Sequence, residues 1–374
     1  MSAIDRSRTS PPSRYERLAN LMRPKIILAS RVFTKVSRTR FLSSSVRILA
    51  SSFLFVVCGS VNGSWADEGG GSFWLPGSFG SLAAVPGQPG WSFAAFNYYG
   101  SVSAGADVSR SLEIQIGQLK PTAALNLNAN LKSTTDFVWL QPGYTFATPV
   151  LGGQADVSLG TIIGRNSSSI PSDSISDSIS GFGDLYPQAT LKWNQGANNF
   201  MVYGMGGIPV GAYNSMLLSS LGIGHGAVDG GIGYTYFDQK SGHEFSAVTG
   251  FTYNFTNPST NYQNGVDWHL DWAASQFLSE QVSVGVVGYV YKEIGCDSGS
   301  GDQVGCFQSQ VIAIGPQLTF LFPVGAWQGY LNLKAYKEFD AQNRPDGWNA
   351  WITFSISPAA PSATTAPSRH MVAK

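Results

Sequence analysis

Val266-Asp267-Trp268-His269-Leu270-Asp271-Trp272 alternates without a break. In an extended strand successive side chains point to opposite faces. Val266, Trp268, Leu270 and Trp272 therefore share one face, and Asp267, His269 and Asp271 share the other. The same period recurs along the chain. In residues 228–236, Val228, Ile232, Tyr234 and Tyr236 lie opposite Asp229, Gly231, Gly233 and Thr235. Leu331, Leu333 and Ala335 alternate with Tyr330, Asn332, Lys334 and Tyr336. Trp348, Ala350, Ile352, Phe354 and Ile356 alternate with Asn349, Trp351, Thr353 and Ser355. Helical periodicity is nearly absent, so the chain reads as all-β.

Twelve strands are predicted, near 91–100, 122–147, 154–165, 183–194, 199–210, 227–237, 243–255, 265–275, 281–292, 309–321, 328–338 and 348–357. The second is long enough to break around Thr134, which would upset the even count that single-chain bacterial barrels show. Short links such as 195–198, 238–242, 276–280 and 322–327 alternate with long ones such as 166–182, 211–226, 256–264, 293–308 and 339–347. That alternation is the mark of an up-and-down antiparallel transmembrane β-barrel, with tight periplasmic turns and long external loops. The Ser/Asp-rich link from Asn166 to Ser174 is expected to be mobile. An open sheet in lipid would leave edge N–H and C=O groups unpaired at several kcal/mol each, and closure removes the edge.

Composition agrees. Charged residues make up 12% of the chain, about half the usual share, and no stretch after Ala66 is apolar for 18 residues. A wall crossing the bilayer as strands needs neither many charges nor a long apolar helix. The rings of Trp268, Trp272, Tyr289, Tyr291, Trp327 and Tyr330 are expected at the headgroup level near strand ends. The rival is a secreted β-sandwich or soluble barrel, whose apolar face would turn inward. Scarce charge even on the polar faces weighs against it. Lys plus Arg equals Asp plus Glu at 23 each, so nucleic-acid binding has no net charge to rest on.

The balance conceals a split. Residues 1–66 carry a net charge of +9 and the remainder −9. The basic stretch ends at Arg47 and is followed by an apolar run, Ile48 to Cys58, of secretory length. Ser64-Trp65-Ala66 has the small-x-small form of a cleavage site, so 1–66 is read as a signal peptide cut after Ala66, with an over-long n-region that leaves Met22 as an alternative start. An N-terminal anchor is the alternative. Residues 67–90 form a periplasmic segment or a plug, 91–357 the barrel, and 358–374 a disordered tail. The mature chain holds two cysteines, Cys296 and Cys306, and in an exported protein such a pair reads as a disulfide. Zinc is the rival, but two ligands make no site.

Residues 183–193 (Gly-Asp-Leu-Tyr-Pro-Gln-Ala-Thr-Leu-Lys-Trp), 229–238 (Asp-Gly-Gly-Ile-Gly-Tyr-Thr-Tyr-Phe-Asp), Gly288-Tyr289-Val290-Tyr291 and Gly315-Pro316-Gln317 carry a family likeness. From Gly181 to Ile356 the chain resembles a family of bacterial outer-membrane barrels linked to transport in the meta-pathway of phenol degradation. These motifs are structural, and no substrate-binding residue transfers with them. The resemblance implies passage of small molecules, aromatic and hydrophobic ones included, across the outer membrane.

The residues themselves leave two kinds of function. One is a passive channel whose inward Asp229, Asp267, His269, Asp271, Lys334 and Tyr336 line the pore. Acids outnumber bases in that set, so anions are expected to be disfavoured. The other is a barrel enzyme acting on lipid, or a purely structural barrel. His269 between Asp267 and Asp271 is the best candidate for proton transfer or metal binding, but ordinary lumen polarity accounts for it as well. No catalytic constellation, cofactor or metal site is expected. The expected partners are outer-membrane lipid and small solutes; the oligomeric state has no signature here.

Overall fold

A computed structural model describes residues 72–105, 130–302, 305–306 and 308–360. The expected signal peptide and its expected cleavage after Ala66 lie outside the described residues, as does the chain from residue 361. The chain forms twelve strands: β1 (Gly90–Ala104), β2 (Leu131–Thr145), β3 (Gln154–Ile170), β4 (Ile175–Gln195), β5 (Asn198–Gly207), β6 (Ala227–Asp238), β7 (His243–Asn254), β8 (Asp267–Phe277), β9 (Val282–Glu293), β10 (Gln310–Val324), β11 (Trp327–Gln342) and β12 (Asp346–Pro358). Each pairs antiparallel with its sequence neighbours, and β1 pairs with β12, so the sheet is a closed barrel. No strand of the wall is left as a free edge, which is what lipid demands.

Thr134 sits inside an unbroken β2, opposite Ser101 on one side and Ser167 on the other, so the even count stands. The short connections gather at one end. Gly90 and Pro358 are there too: Gly90 is opposite Thr145, and Pro358 is opposite Trp327.

Two expectations need correction. The Ser/Asp-rich stretch after Asn166 is not a loose link. β3 and β4 stay paired out to Ile170↔Ile175, and the chain reverses through Pro171–Asp173 with Ser174 at φ 57°. A strand pair beyond the bilayer can be polar on both faces, so its composition mimics a loop. The link between β11 and β12 shrinks likewise to residues 343–345. Second, Tyr289, Tyr291 and Tyr330 do not belong to a headgroup belt. Tyr289 and Tyr291 point inward and are buried, and Tyr330 shares the inward face of β11 with Asn332 and Lys334. In Val-Gly-Tyr-Val-Tyr both faces are apolar, so the period alone does not say which of them meets lipid.

Elsewhere the alternation sorts the faces cleanly. Ile232, Phe251, Ile352 and Phe354 lie exposed on the outer wall, whereas Asp229, Thr235, Asn349 and Thr353 are buried inside. The molecule is thus apolar outside and mixed within, the reverse of a water-soluble barrel.

Candidate functional site

Residues 72–89 lie inside the barrel. They run from the long-loop end, where Phe73 packs against Tyr186 at 5.8 Å between ring centroids, to the short-turn end, where Ala84 N–H donates to Thr235 Oγ1 at 3.1 Å. The segment is irregular, so its backbone groups cannot be satisfied by a ladder, and inward side chains of the wall take that role. Asp271 accepts Gly77 N–H on Oδ1 and Phe79 N–H on Oδ2, both at 3.0 Å. Lys334 Nζ donates to the carbonyls of the same two residues, at 2.6 Å to Gly77 and 3.4 Å to Phe79. One carboxylate and one ammonium therefore hold opposite polarities of a single turn. Gly77 is at φ 87°, with the Tyr336 ring about 3.0 Å from where a Cβ would stand. A side chain there would meet both the strain of that φ and the ring.

Lower down, Glu244 Oε1 accepts Leu82 N–H at 3.0 Å and Glu244 Oε2 accepts Ser81 Oγ–H at 2.8 Å. Gln317 Nε2 donates to Ser81 Oγ at 2.6 Å. Higher up, Trp74 stacks on His269, with centroids 3.6 Å apart and planes 10° from parallel. His269 Nε2 is 3.0 Å from Asp229 Oδ2 and 3.3 Å from Tyr203 Oη, and Thr252 Oγ1 donates to Asp229 Oδ2 at 2.6 Å.

The six residues singled out by sequence as pore-lining (Asp229, Asp267, His269, Asp271, Lys334, Tyr336) all point inward and are buried. They do not form one cluster. Asp229 and His269 meet, and Asp271, Lys334 and Tyr336 gather around Gly77. Asp267 sits apart at the long-loop end, accepting from Asn254 Nδ2 at 3.0 Å. Sequence reasoning missed Glu244, Gln317 and Tyr203. A Glu in a strand otherwise short of charge was the one available signal for the first.

His269 does not have the geometry of a hydrolase. Its Nε2 faces both Asp229 and Tyr203, and its Nδ1 has no hydrogen-bond partner among the described residues. A triad needs the acid on one ring nitrogen and a nucleophile on the other. Among the described residues no group of three or more His, Cys, Asp or Glu is placed to hold a metal ion.

Gly250 leaves the room that this pair needs. A Cβ there would come within 2.2 Å of Tyr203 Oη and 2.8 Å of the Gly230 carbonyl oxygen. Gly250→Ala is expected to cost about 1–3 kcal/mol through overpacking, since the backbone contact cannot give way. Urea unfolding in detergent, followed by the heat-dependent gel shift of the folded barrel, reads that loss.

Cys296 and Cys306 are joined in a disulfide across the long loop between β9 and β10. Beside it, Gly265 N–H donates to both Glu293 Oε1 at 2.9 Å and Asp297 Oδ1 at 3.0 Å. Burial pushes the Asp297 carboxyl above the usual range, against the lowering effect of hydrogen bonds with Glu293, Tyr262 and the Gly265 N–H.

A cavity of about 210 Å³ opens toward the long-loop end. Phe73 and Leu75 of the internal segment form one wall, Tyr98, Phe137, Trp139 and Tyr186 of the barrel another, and residues of the β5–β6 loop a third.

An apolar outer wall, full ladder closure and a bore occupied by the chain's own N-terminal residues define an outer-membrane-type β-barrel with a filled lumen. The chain belongs to the family described as "Putative MetA-pathway of phenol degradation", whose model matches residues 100–354. Among solved structures it is similar to the COG4313 outer membrane channel from Pseudomonas putida F1, at 15% identity and a TM-score of 0.59, over 76% of this chain and 100% of that one. The translocator domain of the autotransporter NalP from Neisseria meningitidis matches at 10% identity and a TM-score of 0.40, over 74% of this chain and 91% of that one. The transport unit of the autotransporter AIDA-I from Escherichia coli matches at 10% identity and 0.41, over 79% and 100%. No curated protein matches the chain.

Proposed function

We propose that the protein resides in the bacterial outer membrane and is a channel for small solutes, hydrophobic and aromatic ones among them, with residues 72–89 as its plug. The observation that carries this reading is the pair of grips on Gly77 and Phe79 by Asp271 and Lys334. A structural barrel has no need of buried ionic groups on an internal segment. A channel does, because a held segment can also be released. A twelve-stranded wall encloses more space than the eight-stranded barrels that side chains alone fill, and less than an open porin. Membership of the phenol-degradation family supports the solute class. The likeness to the channel from Pseudomonas putida F1 supports the same role.

The passage is passive. Solute crosses through weak, successive contacts down its gradient, and the inward acids disfavour anions. The reading that makes the barrel an enzyme draws no support from His269, whose neighbours are a carboxylate and a phenol beneath a stacked indole.

The test is reconstitution. Proteoliposomes and planar bilayers containing the full chain are expected to show discrete current steps and measurable flux of single-ring solutes. Silence in both, with the barrel folded by its heat-modifiable gel migration, would remove the channel reading.

A further inference from the structure

We propose that the outer cavity is an occlusion site for one uncharged, single-ring solute. This rests on the channel reading and adds a stopping place to it. Volume sets the size. An apolar cavity of about 150 Å³ suffices to hold benzene. The space here, about 210 Å³, leaves room for one ring and a small substituent. On the same scale a fused two-ring solute, about half as large again, needs roughly 225 Å³ and fits less well.

The walls set the chemistry. Tyr98 stacks on Phe137 at 4.9 Å and Trp139 on Tyr186 at 4.7 Å, so two aromatic pairs present faces and edges to a ring. Charge on the described lining residues is balanced, Glu338 against Arg344, so nothing there draws in an ion of either sign. Glu338 is also already engaged. Tyr289 Oη donates to its Oε1 at 2.7 Å and Gly347 N–H to its Oε2 at 2.8 Å. A carboxylate entering would stand against that anion. A hydroxyl on the ring has a place, because Ser168 donates to Ser133 Oγ in a chain of hydroxyls that ends on Asn166 Oδ1, which Thr135 reaches separately. Such a chain can take in one more O–H by exchange.

Position makes it a place of occlusion. The internal segment at Phe73 and Leu75 bounds it on one side, and Leu221 and Ile223 of the β5–β6 loop bound it on another. A solute that enters from the long-loop end passes deeper into the bore only when the internal segment yields.

Calorimetric titration of the purified full-length protein, with protein-free micelles subtracted, tests this with p-cresol, benzoate and 1-naphthol. The expected result is saturable binding of one p-cresol per chain, with benzoate and 1-naphthol at least tenfold weaker. Val102 lines the cavity from β1 and is half-buried. Val102→Trp should weaken p-cresol at least tenfold, and Val102→Ala should narrow the gap between p-cresol and 1-naphthol. Absence of saturable binding, equal affinity for 1-naphthol in the wild type, or p-cresol binding untouched by a folded Val102→Trp each overturns the proposal. If Val102→Trp fails to fold, the Val102→Ala comparison decides alone. Flux in proteoliposomes without saturable binding would sink the occlusion site and spare the channel. Saturable binding without flux would do the reverse.

Discussion

Asp271→Ala is expected to convert a nearly closed channel into one that opens often. The substitution removes the acceptor of two backbone N–H groups, Gly77 and Phe79, each at 3.0 Å. Hydrogen bonds to a charged group contribute about 1.5–3 kcal/mol each, so the held position of residues 72–89 loses about 3–6 kcal/mol. Each 1.4 kcal/mol is a factor of about ten, so the equilibrium between held and released segment moves by about two orders of magnitude or more. The readout is open probability in planar bilayers. Lys334 complicates the stability of the same variant. Its ammonium lies 5.1 Å from the Trp351 ring centroid and stays buried with its nearest carboxylate gone. Leaving a buried charge without its partner costs about 3–5 kcal/mol. Adding Lys334→Met to Asp271→Ala should therefore restore part of the folding stability while leaving the channel open. Recovery of stability without recovery of closure separates the latch from the scaffold. If the double variant closes again, Asp271 and Lys334 do not hold the segment.

How much of this could be read beforehand follows from how each feature is encoded. The wall is encoded by period two, and β8 shows why it was legible: indoles and leucine on one face and ionisable groups on the other leave a single assignment. β9 shows the limit. Tyr289 and Tyr291 alternate with valines and a glycine, both faces are apolar, and only the partner Glu338, 49 residues from Tyr289, fixes which side faces the bore. The β3–β4 hairpin fails in the opposite way. Serines on both faces carry no contrast, and pairing is inherited from the wall beneath. Asp229, Asp267, His269, Asp271 and Lys334 can be read as inward because a charge within the bilayer span of a strand has to face the bore, and Tyr336 because it shares the face of Lys334; exposed charges such as Lys132 and Lys292 sit near strand ends. Their purpose could not be read. Asp271 meets Gly77 across 194 residues of sequence, and the irregular segment it holds has no periodicity to announce itself.

Ile232→Arg is the variant that decides between lipid and water outside the wall. Ile232 sits in the middle of β6, between Val202 and Thr249 of the neighbouring strands, with 61% of its surface exposed. In a soluble barrel, an exchange at so open a position changes stability by about 0.5 kcal/mol or less. In a bilayer the same side chain must carry a guanidinium into hydrocarbon near the midplane, at about 2–4 kcal/mol. The two surroundings thus predict effects several-fold apart for one substitution that touches no internal contact. Folding into vesicles, titrated with urea and scored by the unboiled gel band, measures the difference. Thr353→Ser, inside the bore, serves as the companion whose cost is small in either setting. A drop of the lipid-facing size for Ile232→Arg places acyl chains against β6. Equal behaviour of the two variants would mean that the apolar face of this barrel meets solvent or another protein, and would remove the premise on which the channel rests.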